Sequence, residues 1–527
     1  MQSPGNLRTL WATGSWFYAA VFCLWGTGPG RLAPAAHDDP QTAQQAQSAA
    51  AAHMPNGSAQ AAGAESKAAD RRPNVIVILA DDLGWGDVGV FGNKFRTPQL
   101  DQMAADGARL TDFYVTTPYC APSRAALLTG RYPFRNGMAE NPFPKTDLGG
   151  VSGADNLGID DYELLLSEVF RAAGYATGMV GKWHLGHQSQ FHPLRHGFDD
   201  YFGLLYSNDM HPVQLYDGQQ IVEYPVVQAT LTQRLTQRAL KFIETNHHRP
   251  FFLYFAHVMP HKPLAVSEEF FTPQTPNSLY ANVMAELDWS VGQVRAKLRQ
   301  LDIEQRTLIF FTSDNGPWYG GSTGGLRGMK GRTAEGGIRV PLIACWPGKI
   351  PAGHVSREPA MICDIFTTAL KACGIDLPQD RVIDGKDIMP LLTSQAKSPH
   401  EAIFSMRGNT LSTVRMGRWK LHVKVAGPAK EKLAKRDEPW RDPRGPDGVR
   451  ILAPCNQYHP ADYPGETAGD PFVPMSLFDL VDDPREQRNV AAEHPEVVEK
   501  LKAAFDAAAA EQQREARLRA QRRRGSS

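Results

Sequence analysis

The chain has 527 residues, and its 56 Lys and Arg residues are balanced by 56 Asp and Glu residues. This balance gives no reason to expect a nucleic-acid partner. The length exceeds what one hydrophobic core usually serves, so we expect one large domain and a smaller one.

The first 36 residues have the order of a signal peptide: Arg8, a mostly apolar run over 11–25, and small residues at 33–35. A basic start, an apolar centre and small residues near the cleavage point are typical of export signals. An uncleaved membrane anchor is the alternative, and no later stretch is long and apolar enough to span a membrane. Residues 37–72 are rich in Ala and Gln, which predicts a disordered linker. We therefore expect a periplasmic or secreted protein without stable membrane insertion.

Buried strands alternate with helices over residues 73–395. The run NVIVILA at 74–80 is rich in β-branched residues, as buried parallel strands are. Further strands are predicted at 175–180, 251–256 and 307–312, and helices are predicted from Pro98 to Gly107 and at 162–173, 231–245 and 279–301. This alternation predicts an α/β fold around a large, mostly parallel sheet. Polar residues recur after the strands, where such sheets hold their sites.

The pattern changes in residues 396–520. Short strand-like runs at 402–406, 411–414 and 419–423 come first, and a Pro-, Gly- and charge-rich surface loop is predicted at 426–474. A charged helix is predicted from about Pro495. We expect a small α+β subdomain here, followed by a solvated basic tail at 521–527.

One stretch carries the most specific pattern, Cys120-Ala121-Pro122-Ser123-Arg124, which continues to Leu-Thr-Gly-Arg at 128–131. Pro122 suits a first helical turn and Gly130 suits the position just past a helix end. Cys120 is thus expected at a helix N-terminus, where N–H groups favour anions, with Arg124 one turn further on. A buried structural cysteine is the ordinary alternative.

The whole string resembles the signature of the sulfatase family. The resemblance covers about residues 73–490 and is closest to the arylsulfatase A-like branch. It implies an alkaline-phosphatase-like α/β sandwich, with a small C-terminal antiparallel sheet and a packed helix. It also implies that a separate formylglycine-generating enzyme converts Cys120 to formylglycine (3-oxoalanine).

Hard oxygen ligands are expected from two strand ends, Asp81-Asp82 and Asp314-Asn315. Calcium takes six to eight such oxygens. Either pair alone is more often a turn or a helix cap. The resemblance implies that both pairs, together with the modified Cys120, bind one Ca²⁺, and that this ion polarises a sulfate oxygen.

Basic residues form the other half of the expected site. The runs GKWHLG, PHKP and KGRTAEGGIRVP resemble sulfatase motifs and contain Lys182, His184, His261 and Lys330. A single Lys or His residue, taken without such a motif, is more often an ordinary surface or core residue than part of an active site. By resemblance, Arg124 and Lys182 hold the sulfuryl oxygens, and Asp314 and His184 move protons. Further substrate contacts are expected from Ser207, His261 and Lys330. Of these, His261 and Lys330 are expected to lie beside the leaving oxygen.

The expected reaction is hydrolysis of a sulfate ester to an alcohol and sulfate. It runs through a formylglycine-hydrate nucleophile and a covalent sulfo-enzyme intermediate. The substrate is expected to be a small sulfate ester or a sulfated carbohydrate. Two alternatives remain open, a phosphonate monoester or phosphodiester hydrolase of the same superfamily and a non-catalytic binder of sulfated glycans. Pairing among four other cysteines, Cys345, Cys363, Cys373 and Cys455, stays undetermined.

Overall fold

The computed structural model describes five segments of the chain, residues 72–92, 95–144, 156–272, 279–425 and 462–525. The predicted signal peptide, the predicted linker up to residue 71, Cys455 and the 426–461 part of the predicted surface loop lie outside these segments. The last two residues of the predicted basic tail also lie outside them. Within the described segments, no helix has the length and apolar character needed to cross a membrane.

Eleven described strands form one mixed sheet. In chain order they are β1 (Asn74–Ala80), β2 (Ala108–Tyr114), β3 (Ala176–Lys182), β4 (Asp200–Leu204), β5 (Leu215–Asp217), β6 (Gln220–Glu223), β7 (Phe251–Ala256), β8 (Thr307–Ser313), β9 (Arg339–Cys345), β10 (His354–Ser356) and β11 (Ala360–Met361). Across the sheet the order is β10-β2-β9-β8-β1-β7-β3-β4-β5-β6, with β11 beside β2. The central neighbours from β8 to β4 are parallel, whereas β9 and β5 pair antiparallel with theirs.

Helices cover both faces of this sheet. They are α1 (Pro98–Asp106), α2 (Cys120–Thr129), α3 (Pro133–Asn136), α4 (Leu166–Ala172), α5 (Leu231–Asn246), α6 (Leu279–Gln300), α7 (Glu335–Ile338), α8 (Asp364–Ala372) and α9 (Met389–Thr393). Side chains of β1 alternate between the faces: Val75 and Val77 join the core under α2, α4 and α8, and Ile76 and Ile78 join the core under α1, α5 and α6. Both faces are therefore buried, which explains why β1 reads as a continuous apolar run.

A second, antiparallel sheet of four described strands follows in the C-terminal region. Its strands are β12 (Ile403–Arg407), β13 (Thr410–Met416), β14 (Trp419–His422) and β15 (Ser476–Asp479). The helix α10 (Pro495–Gly525) buries Leu501, Phe505 and Ala508 in the same apolar core as α2. The predicted fold, a large mostly parallel sheet with a small antiparallel sheet and a packed helix, is confirmed.

Two details differ from expectation or complete it. The helix predicted at 162–173 begins only at Leu166, because the Leu165 N–H donates to Glu168 Oε2 at 2.8 Å and caps the helix there. Three of the four cysteines left open, Cys345, Cys363 and Cys373, are buried and unpaired.

Candidate active site

Parallel strands bring the two acidic pairs to one edge of the sheet. β1 and β8 pair in register up to Ala80 and Ser313, so Asp81-Asp82 and Asp314-Asn315 leave the sheet side by side. The Asp82 N–H donates to Asp314 Oδ1 at 3.1 Å, and Asn315 Nδ2 donates to Asp82 Oδ1 at 2.7 Å. The Asp82 backbone has a φ of 63°, a left-handed conformation that is uncommon for a residue with a side chain.

Cys120 is the first residue of α2, which faces the same edge. Its Sγ lies 3.4 Å from Lys330 Nζ and 3.8 Å from Asp82 Oδ1, and the side chain is buried. Burial raises the pKa of the Cys120 thiol well above its usual value, although Lys182 and Lys330 oppose this. The group is therefore a neutral thiol, which is a poor nucleophile.

Arg124 lies one helical turn after Cys120 and is fully buried. Its Nε and Nη2 contact Asp314 Oδ2 at 2.9 and 2.8 Å. Its Nη1 donates to the Lys182 carbonyl at 2.7 Å. The guanidinium thus joins the end of β8 to the end of β3 with fixed geometry.

Lys182 ends β3 and reaches the first acidic pair. Its Nζ lies 2.6 Å from Asp81 Oδ2 and 3.0 Å from Ser207 Oγ. His184, two residues on, has a φ of 61° and lies with Nε2 3.3 Å from the Pro142 carbonyl. Burial, helped by Lys182, lowers the pKa of His184 well below its usual value, so the ring is neutral.

His261 and Lys330 lie on the other side of the acidic pair. His261 Nε2 is 3.7 Å from Asp82 Oδ2, and Lys330 Nζ is 2.6 Å from Asp82 Oδ1. Burial lowers the pKa of His261, and Lys330 adds to this effect. Burial acts to lower the pKa of Lys330, but Asp82, Cys120 and Asp81 together outweigh burial and raise that pKa well above its usual value. Lys330 therefore stays charged.

Two family profiles match this chain, one over the region of the large sheet and one over the C-terminal region. The sulfatase family profile matches residues 73–375, and the profile for the C-terminal region of aryl-sulfatase matches residues 398–520. The chain belongs to the sulfatase family. It is accordingly a sulfuric ester hydrolase, as the resemblance in its motifs implied.

Individual sulfatases are also similar to this chain over most of its length. N-acetylgalactosamine-6-sulfatase of Sus scrofa is 43% identical over 393 residues, covering 69% of this chain and 74% of that relative. Arylsulfatase G of Mus musculus is 37% identical over 413 residues, covering 68% and 77%. The solved PsFucS1 sulfatase from Pseudoalteromonas sp. matches with a TM-score of 0.67 at 25% identity, covering 88% of this chain and 95% of that one.

The sulfatase site has the chemistry of a divalent-cation site. Asp81, Asp82, Cys120 and His261 each offer a ligand atom, all within 4.8 Å of one another. Two buried oxygens, Asp81 Oδ1 and Asn315 Oδ1, have no hydrogen-bond partner among the described residues. Burial and the Asp81 carboxylate raise the pKa of Asp314 to about 7, a repulsion that a bound cation relieves. Crowded hard oxygens with unused lone pairs fit Ca²⁺.

All of the predicted site residues meet at this edge, and two further residues that the sequence reasoning missed join them. Asn208 accepts from His261 Nδ1 at 3.1 Å, and Asn141 Oδ1 accepts the Ala121 N–H at the start of α2. Asn208 directly follows Ser207, which was its only signal in the sequence. The neighbouring His257 faces away and lies 3.4 Å from Ser290 Oγ on α6.

Proposed function

We propose that this sulfatase removes sulfate from a sulfated carbohydrate, with N-acetylgalactosamine 6-sulfate as the first candidate substrate. The carrying observation is the 43% identity to N-acetylgalactosamine-6-sulfatase of Sus scrofa over 69% of the chain. An exported enzyme fits such a substrate, and the signal-like first 36 residues support export.

Conversion of Cys120 to formylglycine by a formylglycine-generating enzyme is part of this proposal. The buried thiol with its raised pKa supports it, because an unmodified neutral thiol would attack sulfur poorly. A hydrated aldehyde would supply two hydroxyls on one carbon, one to attack sulfur and one to release sulfate by re-forming the carbonyl. Ca²⁺ held by Asp81, Asp82, Asp314 and Asn315 would polarise a sulfuryl oxygen.

The chain's own residues divide into two groups around the sulfur. Arg124 and Lys182 bind the sulfuryl oxygens, and their hydrogen bonds to carboxylates and carbonyls hold them in place beforehand. Asp314 takes the proton of the attacking hydroxyl, because it lies at the edge that Cys120 faces and Arg124 holds its Oδ2 in place. His184, a neutral base, takes the proton in the release step.

Lys330 and His261 act at the leaving oxygen, and Ser207 supports them. Lys330 carries a proton on a charged ammonium, and Ser207 Oγ lies 3.4 Å from His261. A sulfate anion bound beside His261 would favour its protonated form. A sugar alkoxide is strongly basic and needs such a proton, whereas a nitrophenolate needs far less.

The test is a substrate panel for the purified, matured enzyme. We expect hydrolysis of N-acetylgalactosamine 6-sulfate and little turnover of phosphodiesters or phosphonate monoesters. Preferred phosphonate or phosphodiester turnover would instead favour the second hydrolase class. Tight binding of sulfated glycans without any sulfate release would favour a non-catalytic binder. Activity confined to small aryl sulfates would remove the carbohydrate assignment.

A further inference from the structure

Lys330 lies on a loop whose two ends meet. We call residues 327–336 the Lys330 loop. The Gly336 N–H donates to the Arg327 carbonyl at 2.7 Å and closes the loop at its base. From this base the Lys330 ammonium extends to Asp82 and to within 3.4 Å of Cys120 Sγ. The loop base therefore helps to place the ammonium, together with the Lys330 N–H, which donates to the Pro317 carbonyl at 3.1 Å.

Both ends of the Lys330 loop are bound by one residue of the C-terminal region, Glu486. Arg327 Nη1 donates to the Glu486 carbonyl at 2.7 Å, across 159 residues of sequence. The Glu335 N–H donates to Glu486 Oε2, also at 2.7 Å, across 151 residues. One residue thus holds the first side chain of the loop with its backbone and the far end of the loop with its carboxylate.

The Glu486 carboxylate is itself held by buried partners. It is fully buried, and its Oε1 lies 2.7 Å from His422 Nε2 and 3.0 Å from Lys420 Nζ. Lys420 also contacts Glu335 Oε1 at 2.9 Å, so β14 contacts the far end of the Lys330 loop directly as well as through Glu486. Three described residues, Lys420 and His422 on β14 and Glu335 at the start of α7, therefore hold the Glu486 carboxylate.

The Glu486 backbone has a φ of 55°, a left-handed conformation that is strained for a residue with a side chain. Only five described non-glycine residues have a positive φ, and two of the others, Asp82 and His184, belong to the active site. Such strain persists only where the surroundings over-determine it, and it concentrates at functional sites.

We propose that Glu486 is a positioning residue for catalysis, which sets the place of Lys330 by clamping both ends of its loop. The C-terminal region thereby acts in the reaction without touching the substrate. The inference rests on the proposed role of Lys330 at the leaving oxygen.

The experiment compares hydrolysis of an alkyl sulfate, N-acetylgalactosamine 6-sulfate, with that of nitrophenyl sulfate. The ratio of the two kcat/KM values does not depend on how much of a preparation is folded. Glu486→Ala should lower this ratio about tenfold, in the direction of Lys330→Ala, because a displaced ammonium no longer meets the leaving oxygen. An unchanged ratio in Glu486→Ala would overturn the proposal.

Glu486→Gln is the conservative variant. Its amide oxygen can still accept the Glu335 N–H while its amide nitrogen faces His422. It should keep most of the wild-type ratio even though it loses stability through the charge removed beside Lys420. If Glu486→Gln lowers the substrate ratio as far as Glu486→Ala does, the charge of Glu486 and not its hydrogen bonds to the loop controls the ratio. The proposal is then wrong.

The double variant Glu486→Ala/Lys330→Ala separates this inference from the proposed function. If Glu486 acts through Lys330, the double variant should have the same substrate ratio as Lys330→Ala. A ratio lowered by the product of the two single effects would refute the clamp. Equal losses on both substrates for Lys330→Ala alone would instead refute the leaving-oxygen role of Lys330.

Glu515→Ala is the matched control. Glu515 is a buried carboxylate of the C-terminal region, 3.4 Å from Arg135, and it has no contact with the Lys330 loop. The variant should lose stability but keep the substrate ratio. A lowered ratio in Glu515→Ala would mean that the ratio only reports destabilisation.

Discussion

At the scale of single residues, the chemistry depends on what Cys120 becomes. In active enzyme, the tryptic peptide containing Cys120 should carry an aldehyde that reacts with hydrazides, as mass spectrometry can show. Cys120→Ser should accept sulfate at most once and then stall, since a serine has no second hydroxyl to expel it. Sustained turnover by Cys120→Ser, or by enzyme with only an unmodified thiol, contradicts this prediction.

The cation is the second residue-scale prediction. Asp81→Ala, Asp82→Ala, Asp314→Ala and Asn315→Ala should each lower bound Ca²⁺ and activity together. Chelation should lower the melting temperature, because a ligand present at 100 times its Kd stabilises the folded protein by about 2.7 kcal/mol. Elemental analysis and thermal unfolding measure these effects. Asp87→Asn is the control: Asp87 is buried nearby but accepts from Gly84 N–H and Tyr280 Oη, so bound Ca²⁺ should not change.

Substrate dependence assigns the leaving-oxygen residues. General acid help is typically worth about 10²–10⁴-fold. Lys330→Ala and His261→Ala should therefore slow alkyl sulfate hydrolysis far more than nitrophenyl sulfate hydrolysis. Arg124→Ala, which removes a sulfate-binding group, should slow both by similar factors. Steady-state kinetics on the two substrates give the comparison, and equal losses for the Lys330 and His261 variants would move these residues to the sulfate-binding group.

At the scale of elements, α2, which begins with Cys120, ends close to α8. Gly130 ends the helix with a φ of 67°, and a Cβ there would lie 2.8 Å from the Phe366 ring on α8. Gly174, after α4, has a φ of 87° with nothing near its Cβ position. α2 can therefore pack this closely against α8 because Gly130 has no side chain.

Alanine at these two glycines separates strain from crowding. Gly174→Ala should lower the free energy of unfolding by about 1–2 kcal/mol through backbone strain alone. Gly130→Ala should lower it by roughly 1–3 kcal/mol more, because Phe366 must move. Urea unfolding measures both. Equal losses would show that the Phe366 contact relaxes freely.

At the scale of the whole molecule, a buried cluster of charged residues joins β14 of the small sheet to α7, the helix before β9; its members are Glu335, Lys420, His422 and Glu486. Burial alone would raise the pKa of Glu486, but Lys420 and His422 lower it to about 2. A carboxylate with a lowered folded pKa stabilises the protein above its unfolded pKa, about 4.5, and loses this effect as the pH falls towards 2. The C-terminal region should accordingly pack less firmly on the large sheet in acid.

Glu486→Gln tests this pH dependence. At pH 7 the variant should be less stable than the wild type by an amount on the order of 3 kcal/mol. The difference should shrink as the pH falls from about 4.5 towards 2, because the unfolded wild-type chain then binds a proton that the folded carboxylate does not. Urea unfolding at several pH values gives the difference. A constant difference would mean that Glu486 contributes through shape rather than charge.

The sequence by itself determined the central strands and the edge at which the site lies. β1, β7 and β8 read as short apolar runs followed by polar residues, and this is local information. Parallel strands must place their carboxyl ends on one edge, so the meeting of Asp81, Lys182, His261 and Asp314 could be predicted without coordinates. The Cys120 motif alone was specific enough to indicate the family.

Only the tertiary structure decided which groups pair within the site and what holds them. The Arg124–Asp314 and Lys330–Asp82 contacts, the Asn208–His261 bond and the Glu486 clamp join residues 53 to 248 positions apart. Periodicity and turn residues describe a few neighbouring positions, so they carry no information about such contacts. The late start of α4 and the unpaired cysteines have the same origin, since a cap depends on side-chain reach and a disulfide on the distance between two folded segments.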